Sequence, residues 1–268
     1  MQTVGKNVYV LVKGSTTAAC NSSFVTTSEG IVLIDTPYLP TDAIKWGEEI
    51  AKRGEVRYII NTEHHNDHTT GNFFFPGPVV AHQQTRAEFA SSVGTAEDVR
   101  QRFKDQLPEA IPLLRDYQPK PPSITFSERL NLYLGSHSFE LIHLPGHTFG
   151  QTGVYIPQEK VVFTGDNFAN GVRMSLAYAY PYEWVASLKK IMSMDVDWVV
   201  PGHGEICRKD QMGEFVAFLE KCIDRVKEAI RKGMSREEAA DRVVLEEGME
   251  NTQNRRNVLR LYEMFTKG

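Results

Sequence analysis

The chain has 268 residues, 41% hydrophobic and 24% charged, enough to bury a large core and near the upper size of one domain. Its formal charge of −4, without a lysine- or arginine-rich block, argues against a nucleic-acid surface. No apolar stretch approaches the roughly 20 residues of a membrane helix. The opening Met1-Gln2-Thr3-Val4-Gly5-Lys6 lacks a signal-peptide pattern, and Cys20, Cys207 and Cys222 suggest neither a disulfide framework nor a CxxC metal site. A cytoplasmic protein with reduced thiols is expected.

The elements follow in chain order. Residues 8–12 and 23–27 are β-branched and aromatic and read as strands. After the Glu29-Gly30 turn, Ile31-Val32-Leu33-Ile34 is continuously apolar, as a strand covered on both faces would be, and it ends at Asp35. Thr41 or Asp42 is placed to cap a helix running to about Arg53, where Gly54 supplies a stop. Val56 to Ile60 is the next strand, giving strand–helix–strand and hence parallel pairing. Residues 83–118 carry apolar side chains at helical spacing, broken by Pro108 and Pro112, and read as a helical insertion. Strands resume at 139–144, 152–156 and 161–164, a helix is expected over 184–194, and a last strand over 197–200. From about 208 the chain reads as helical, with a Ser235/Glu238 capping box and a Met234/Ala239 staple. Two strand-rich blocks, each followed by helix, predict an α/β fold: a four-layer αβ/βα sandwich in one domain spanning 1–268.

The chemistry concentrates at strand ends. Residues 61–72 read Asn-Thr-Glu-His-His-Asn-Asp-His-Thr-Thr-Gly-Asn directly after an apolar strand, so Glu63, His64, His65, Asp67 and His68 crowd one rim. His147 in Pro145-Gly146-His147, Asp166 in Thr164-Gly165-Asp166 and His203 in Pro201-Gly202-His203-Gly204 each follow another strand. Loops on a rigid scaffold are where sites gather, and glycine permits the close approach a ligand needs.

This ordered set resembles the metallo-β-lactamase superfamily, whose pattern is H-x-H-x-D-H followed by a His, an Asp and a His at strand ends. The resemblance covers residues 4–207. One position departs: where the first His of the motif belongs stands Glu63. Side chains alternate on an extended segment, so Glu63 and His65 face one way and His64 the other. The resemblance implies two divalent metal ions, zinc first, with iron or manganese as alternatives. It assigns His65, His147 and Glu63 to one ion, Asp67, His68 and His203 to the other, and Asp166 as a bridge. Other readings of Glu63 leave it beside the ligands, leave its ion position unfilled, or recruit His64.

Two such ions lower the pKa of a water and polarise a carbonyl or phosphoryl oxygen. Asp67 is then the catalytic residue that orients the nucleophile and carries a proton. The expected activity is hydrolysis of a small ester, lactone, thioester, amide or phosphoester. An iron-dependent oxidoreductase on the same scaffold is the alternative, since carboxylate-rich sites suit iron, and a non-catalytic metal-binding protein the third reading. Tyr178, Tyr180 and Arg173 are candidate substrate contacts. Asp35 is read either as a support to a ligand or as plain strand capping. His82 and His143 are read as structural and His137 as solvent-facing. The partner is a small-molecule substrate, neither nucleic acid nor membrane, and the 83–118 insertion is a candidate lid or homodimer element.

Overall fold

The computed structural model describes residues 1–13, 19–172 and 174–266. Two sheets pack face to face. The first orders β1 (Gln2–Val4), β2 (Val8–Leu11), β3 (Ser22–Thr27), β4 (Gly30–Ile34), β5 (Val56–Ile60), β6 (Val79–His82) and β7 (Ile124–Phe126) side by side. The second runs from β8 (Arg129–Leu134) through β9 (His137–His143), β10 (Thr152–Ile156) and β11 (Val161–Asn170) to β12 (Trp198–Gly204).

The period of two along each strand sorts residues into layers. On β4, Val32 and Ile34 enter the core between the sheets, while Ile31 and Leu33 face α1 (Pro40–Ala51) and its Ala43, Trp46 and Ile50. On β11, Val161 and Phe163 face inward and Val162 faces a helical layer. That layer comprises α5 (Pro181–Ser193), α6 (Met212–Arg231), α7 (Arg236–Arg242) and α8 (Asn251–Thr266), and it buries Trp184, Leu188, Leu219, Val226 and Leu261 against the second sheet. Each fully buried side chain of this size contributes roughly 1.5–3 kcal/mol relative to exposure. The result is the expected α/β, four-layer sandwich.

Parallel pairs require crossovers. β4 pairs with β5 through α1, and β11 with β12 through α5. β6 pairs with β7 in parallel as well. The helical segment at 83–118 is therefore that crossover, built from α3 (Gln83–Val93), α4 (Ala96–Gln106) and a 3₁₀ stretch at Pro108–Leu114. Its Phe89, Val93, Val99 and Phe103 close on Tyr117 in a small core of their own. The capping box at Ser235 is present in both directions.

Three expectations are corrected. α1 begins one turn earlier than its polar residues suggest: Leu39 occupies the N-cap, Pro40 opens the helix, and Asp42 pairs with Lys13 instead of capping. β11 and β12 run on through Asn170 and Gly204, because irregular register after Phe163 lets the pairing resume beyond Gly165. His137 is buried, not solvent-facing, since its Nε2 lies 3.0 Å from Glu159 in the β10–β11 turn. Among the described residues no helix is long and apolar enough to cross a membrane.

Candidate metal centre

Parallel strands deliver their carboxyl ends to one edge of a sandwich, where loops can converge. Here the edge collects the ends of β4 and β5, the β9–β10 loop, and the distal parts of β11 and β12. After β5, buried amides pin the loop: Asn61 donates to the His68 carbonyl at 3.2 Å and exchanges hydrogen bonds with Asn72. A single turn, α2 (Asn66–Thr69), then presents Asp67 and His68 in succession. Asp35 adopts a left-handed backbone at φ 51°, and its Oδ1 accepts from the Thr62 amide at 2.8 Å. Its Oδ2 accepts from Thr62 Oγ1 at 2.6 Å and from His68 Nδ1 at 2.9 Å. Asp35 thereby fixes the His68 ring with Nε2 facing the cavity, as carboxylates behind ligating histidines do.

On β11 the bulge at Gly165, φ 50°, re-aims the strand so that Asp166 faces the cavity. Gly202 on β12 packs so closely that a Cβ there would strike the Asp166 carboxylate. The His147 amide donates to Asn167 Oδ1 at 2.9 Å, and the His147 ring stands edge-on to Trp184.

The seven predicted positions come together. Glu63, His65, His147 and Asp166 form one group with polar atoms within 4.8 Å of one another; His68, Asp166 and His203 form a second. Asp67 Oδ2 joins the second at 3.3 Å from His203 Nε2 and 3.7 Å from His68 Nε2. Asp166 belongs to both: Oδ1 lies 3.2 Å from His68 Nε2 and 3.3 Å from His203 Nε2, and Oδ2 lies 3.6 Å from His147 Nε2. Glu63 is fully buried, with Oε2 2.6 Å from His65 Nδ1 and Oε1 4.0 Å from His147 Nε2. His64 turns away toward Glu88 on α3, at 3.2 Å.

Several atoms of the cluster are close to others without being hydrogen-bonded. Both Glu63 oxygens, His68 Nε2, His147 Nδ1 and Asp166 Oδ1 are buried without a hydrogen-bond partner. Burying such groups unsatisfied costs about 1–3 kcal/mol each, more where charged. A carboxylate–imidazole donor set with orphaned lone pairs fits divalent cations, which would satisfy them together.

Charge and burial compete throughout. Burial is the largest single influence on Glu63 and raises its carboxyl, but the His65 and His147 charges together outweigh it and hold Glu63 at about 2. Burial works to lower His65 and His203, yet the Glu63 and Asp166 carboxylates lift them to about 9 and about 10. Asp166 sits well below the usual carboxylate range because the His203 and His68 charges overcome its burial. Burial prevails at His147 and lowers it. Protons thus occupy His65 and His203 where cations would bind, and each must leave before its lone pair can ligate. Divalent-metal affinity should therefore rise as pH climbs toward 9 and 10, with proton release on binding near neutrality. Calorimetric titration of metal-stripped protein in two buffers of different ionisation enthalpy reads that release directly; its absence would contradict the arrangement.

A cavity of about 480 Å³ opens over the cluster. Tyr178 is exposed at its rim, with its ring 5.6 Å from that of His65. Tyr180 is engaged elsewhere, between Phe149 and the Arg260 guanidinium. Arg173 lies outside the described residues. Stacked on each other at 4.0 Å, His82 and His143 bond to the backbone carbonyls of Ser127 and Phe149. Sequence reasoning missed Cys20. Its buried thiol, raised to about 12 by burial, donates to the Asp67 carbonyl at 3.1 Å beside His68. It also missed Glu250, just before α8, and Gln253 and Arg256 on it, which line the cavity and read in sequence as an ordinary polar helix face.

Known proteins share these features. The chain is 27% identical over 182 residues to the 2,4-dinitroanisole O-demethylase subunit alpha of Nocardioides sp. (strain JS1661), covering 65% of this chain and 49% of that protein. It is 26% identical over 212 residues to a type 2 metallo-beta-lactamase of Elizabethkingia meningoseptica, covering 74% and 76%. With a hydroxyacylglutathione hydrolase of Pelagibacter ubique (strain HTCC1062) it shares 29% over 140 residues, covering 52% and 46%. The chain thus spans about half the length of the first and third of these relatives. A solved metallo-beta-lactamase family protein from Thermus thermophilus superposes with a TM-score of 0.69 at 17% identity over 97% of this chain and 93% of its own, a likeness of fold. The superfamily model itself matches residues 15–203, a span that includes Asp35 and ends at the last histidine of the cluster. With the sandwich and the ordered cluster at its edge, the match establishes that the chain belongs to the metallo-beta-lactamase superfamily.

Proposed function

We propose that the protein is a metal-dependent hydrolase of a small ester, lactone, thioester, amide or phosphoester. The observation that carries this reading is Asp166, whose two oxygens serve two adjoining groups of orphaned imidazole and carboxylate atoms. Glu63, His65 and His147 would hold one divalent ion, Asp67, His68 and His203 the other, and Asp166 both. Superfamily members bind divalent metals, typically zinc, and the third carboxylate at Glu63 also suits iron or manganese. When bound, two such ions supply Lewis acidity to a water and to the substrate's carbonyl or phosphoryl oxygen.

The protein's own groups do the rest. Asp67 is the ligand-type residue of its group with side-chain exposure, 14%, to the cavity, so its carboxylate can accept the proton of the attacking water and return it to the leaving group. The Asp35–His68 pair keeps the imidazole in one tautomer and orientation. Tyr178, with its exposed ring 5.6 Å from that of His65, would hydrogen-bond a substrate oxygen. The cavity volume suits a small molecule.

The test is metal analysis of protein purified without added metal, followed by chromogenic esters, lactones, thioesters and phosphoesters. The reading expects divalent metal, turnover of at least one class, loss with chelator and recovery with zinc. Iron accompanied by oxygen consumption, with no hydrolysis, would favour the oxidoreductase reading that the carboxylate-rich cluster also suits.

A further inference from the structure

Helix α8 forms the wall of the cavity facing the His and Asp cluster. Its inner face is fastened to the segment that leads to α5. Asn257 Oδ1 accepts from the Leu176 amide at 2.8 Å, and Arg260 Nε donates to the Ala179 carbonyl at 3.1 Å. The Arg260 guanidinium also covers the Tyr180 ring at 5.3 Å. Val258 and Leu261 anchor the same helix in the core. Residues three and four apart share a helix face, so the register that fastens Asn257 and Arg260 carries Gln253 and Arg256 into the cavity lining.

Two neighbouring arginines behave differently. Arg255 is structural and pairs with Glu237 and Asp241 of α7. Arg256 makes no ion pair or hydrogen bond among the described residues; its electrostatic neighbour is Glu250. Glu250 is already committed, accepting from the Thr252 hydroxyl, the Thr252 amide at 3.0 Å and the Gln253 amide at 2.9 Å, and its carboxyl is held low by those bonds, the hydroxyl first. Beyond the charge of Glu250, Arg256 has no hydrogen-bond or ion-pair partner among the described residues, and it offers a fork of donors to the cavity.

We propose that Arg256 binds a carboxylate at the distal end of the substrate, with the Gln253 amide beside it, while the scissile bond lies over Asp67 and Asp166. The preferred substrates are small acyl compounds that end in a carboxylate. A singly charged group fits better than a phosphate dianion, because the Glu250 carboxylate adjoins Arg256. Arginine–carboxylate pairs are commonly bidentate, giving orientation as well as affinity. This inference rests on the hydrolase reading of the same cavity.

The experiment compares 4-nitrophenyl hydrogen adipate with its methyl ester, one skeleton with and without the charge. Both are tested on metal-replete wild type and Arg256→Met, each checked for metal content. Wild type should favour the acid in kcat/KM by roughly 10- to 100-fold, the range of a hydrogen bond to a charged group. In Arg256→Met that ratio should collapse toward unity, mainly through KM for the acid. A merely structural role would lower both esters alike and preserve the ratio, which overturns the proposal. Adipate itself is titrated calorimetrically against both proteins, independently of turnover. Binding to wild type that weakens at least tenfold in Arg256→Met supports the proposal, and absent or equal binding overturns it. Failure of every hydrolytic substrate with adipate binding intact removes the hydrolase reading alone.

Discussion

Asp166→Ala should leave at least one ion position empty and slow turnover by roughly 10³-fold or more, equivalent to about 4 kcal/mol of activation free energy. The magnitude follows from position. Asp166 Oδ1 faces His68 and His203 at 3.2 and 3.3 Å and its Oδ2 faces His147 at 3.6 Å, so one carboxylate serves both groups. Truncation leaves His68 Nε2 and His203 Nε2 without their shared carboxylate and lets solvent into a position now 3% exposed. Asp166→Asn keeps the volume and one oxygen but loses the charge, so it should fall between wild type and Ala. Metal stoichiometry and kcat, measured beside a circular-dichroism check of folding, test both variants. Full metal content with an unchanged rate in Asp166→Ala would reduce the cluster to a structural feature.

The second large effect is expected at Glu63. Its carboxylate is fully buried, held at about 2 with the His65 charge opposing its burial, and neither oxygen has a hydrogen-bond partner. Loss of a residue behind a ligand costs roughly 10- to 100-fold in metal affinity. On the proposed reading Glu63 is itself a ligand, so Glu63→Gln should weaken the ion beside His65 and His147 by more than that. Glu63→His restores an imidazole and should keep that ion bound. It also removes one negative charge from the centre, which makes a water there more acidic. The rising limb of the kcat–pH profile should therefore move to lower pH in Glu63→His than in wild type. An unmoved limb at equal metal content would mean that the nucleophile does not feel Glu63.

What could be read from sequence depended on the range of the interaction. Ile31–Ile34 was legible because a strand buried on both faces is continuously apolar, and Val56–Ile60 because its apolar Tyr58-Ile59-Ile60 leads straight into the His and Asp run; the chain places them in β4 and β5. The Glu63/His65 against His64 division was legible because alternation is local: His65 lies against His147 while His64 reaches Glu88, although the His64 and His65 rings stay 4.6 Å apart. Longer-range pairings left no local signal. His137 reads as a turn residue until Glu159 reaches it across the sheet. The extension of β11 past Gly165 depends on pairing with β12, which the polar Thr164-Gly165-Asp166 conceals. The α8 wall is hidden for the same reason: Asn257 meets Leu176, and Arg256 meets the cavity, only after the last helices fold back over the second sheet. The ligand-type residues stood out because their chemistry is rare at strand ends; the cavity-lining residues did not, because a polar helix face is ordinary.

The central claim is that Glu63 takes the place of a histidine as a metal ligand in a two-ion site. A crystal structure of protein purified with its native metal, with anomalous maps at the edge of the element identified by metal analysis, tests it most directly. The account predicts two ions flanking Asp166, one bonded by Glu63, His65 and His147 and the other by Asp67, His68 and His203. A single ion at the Asp67, His68 and His203 group, with the Glu63 carboxylate bonded only to protein, would contradict it.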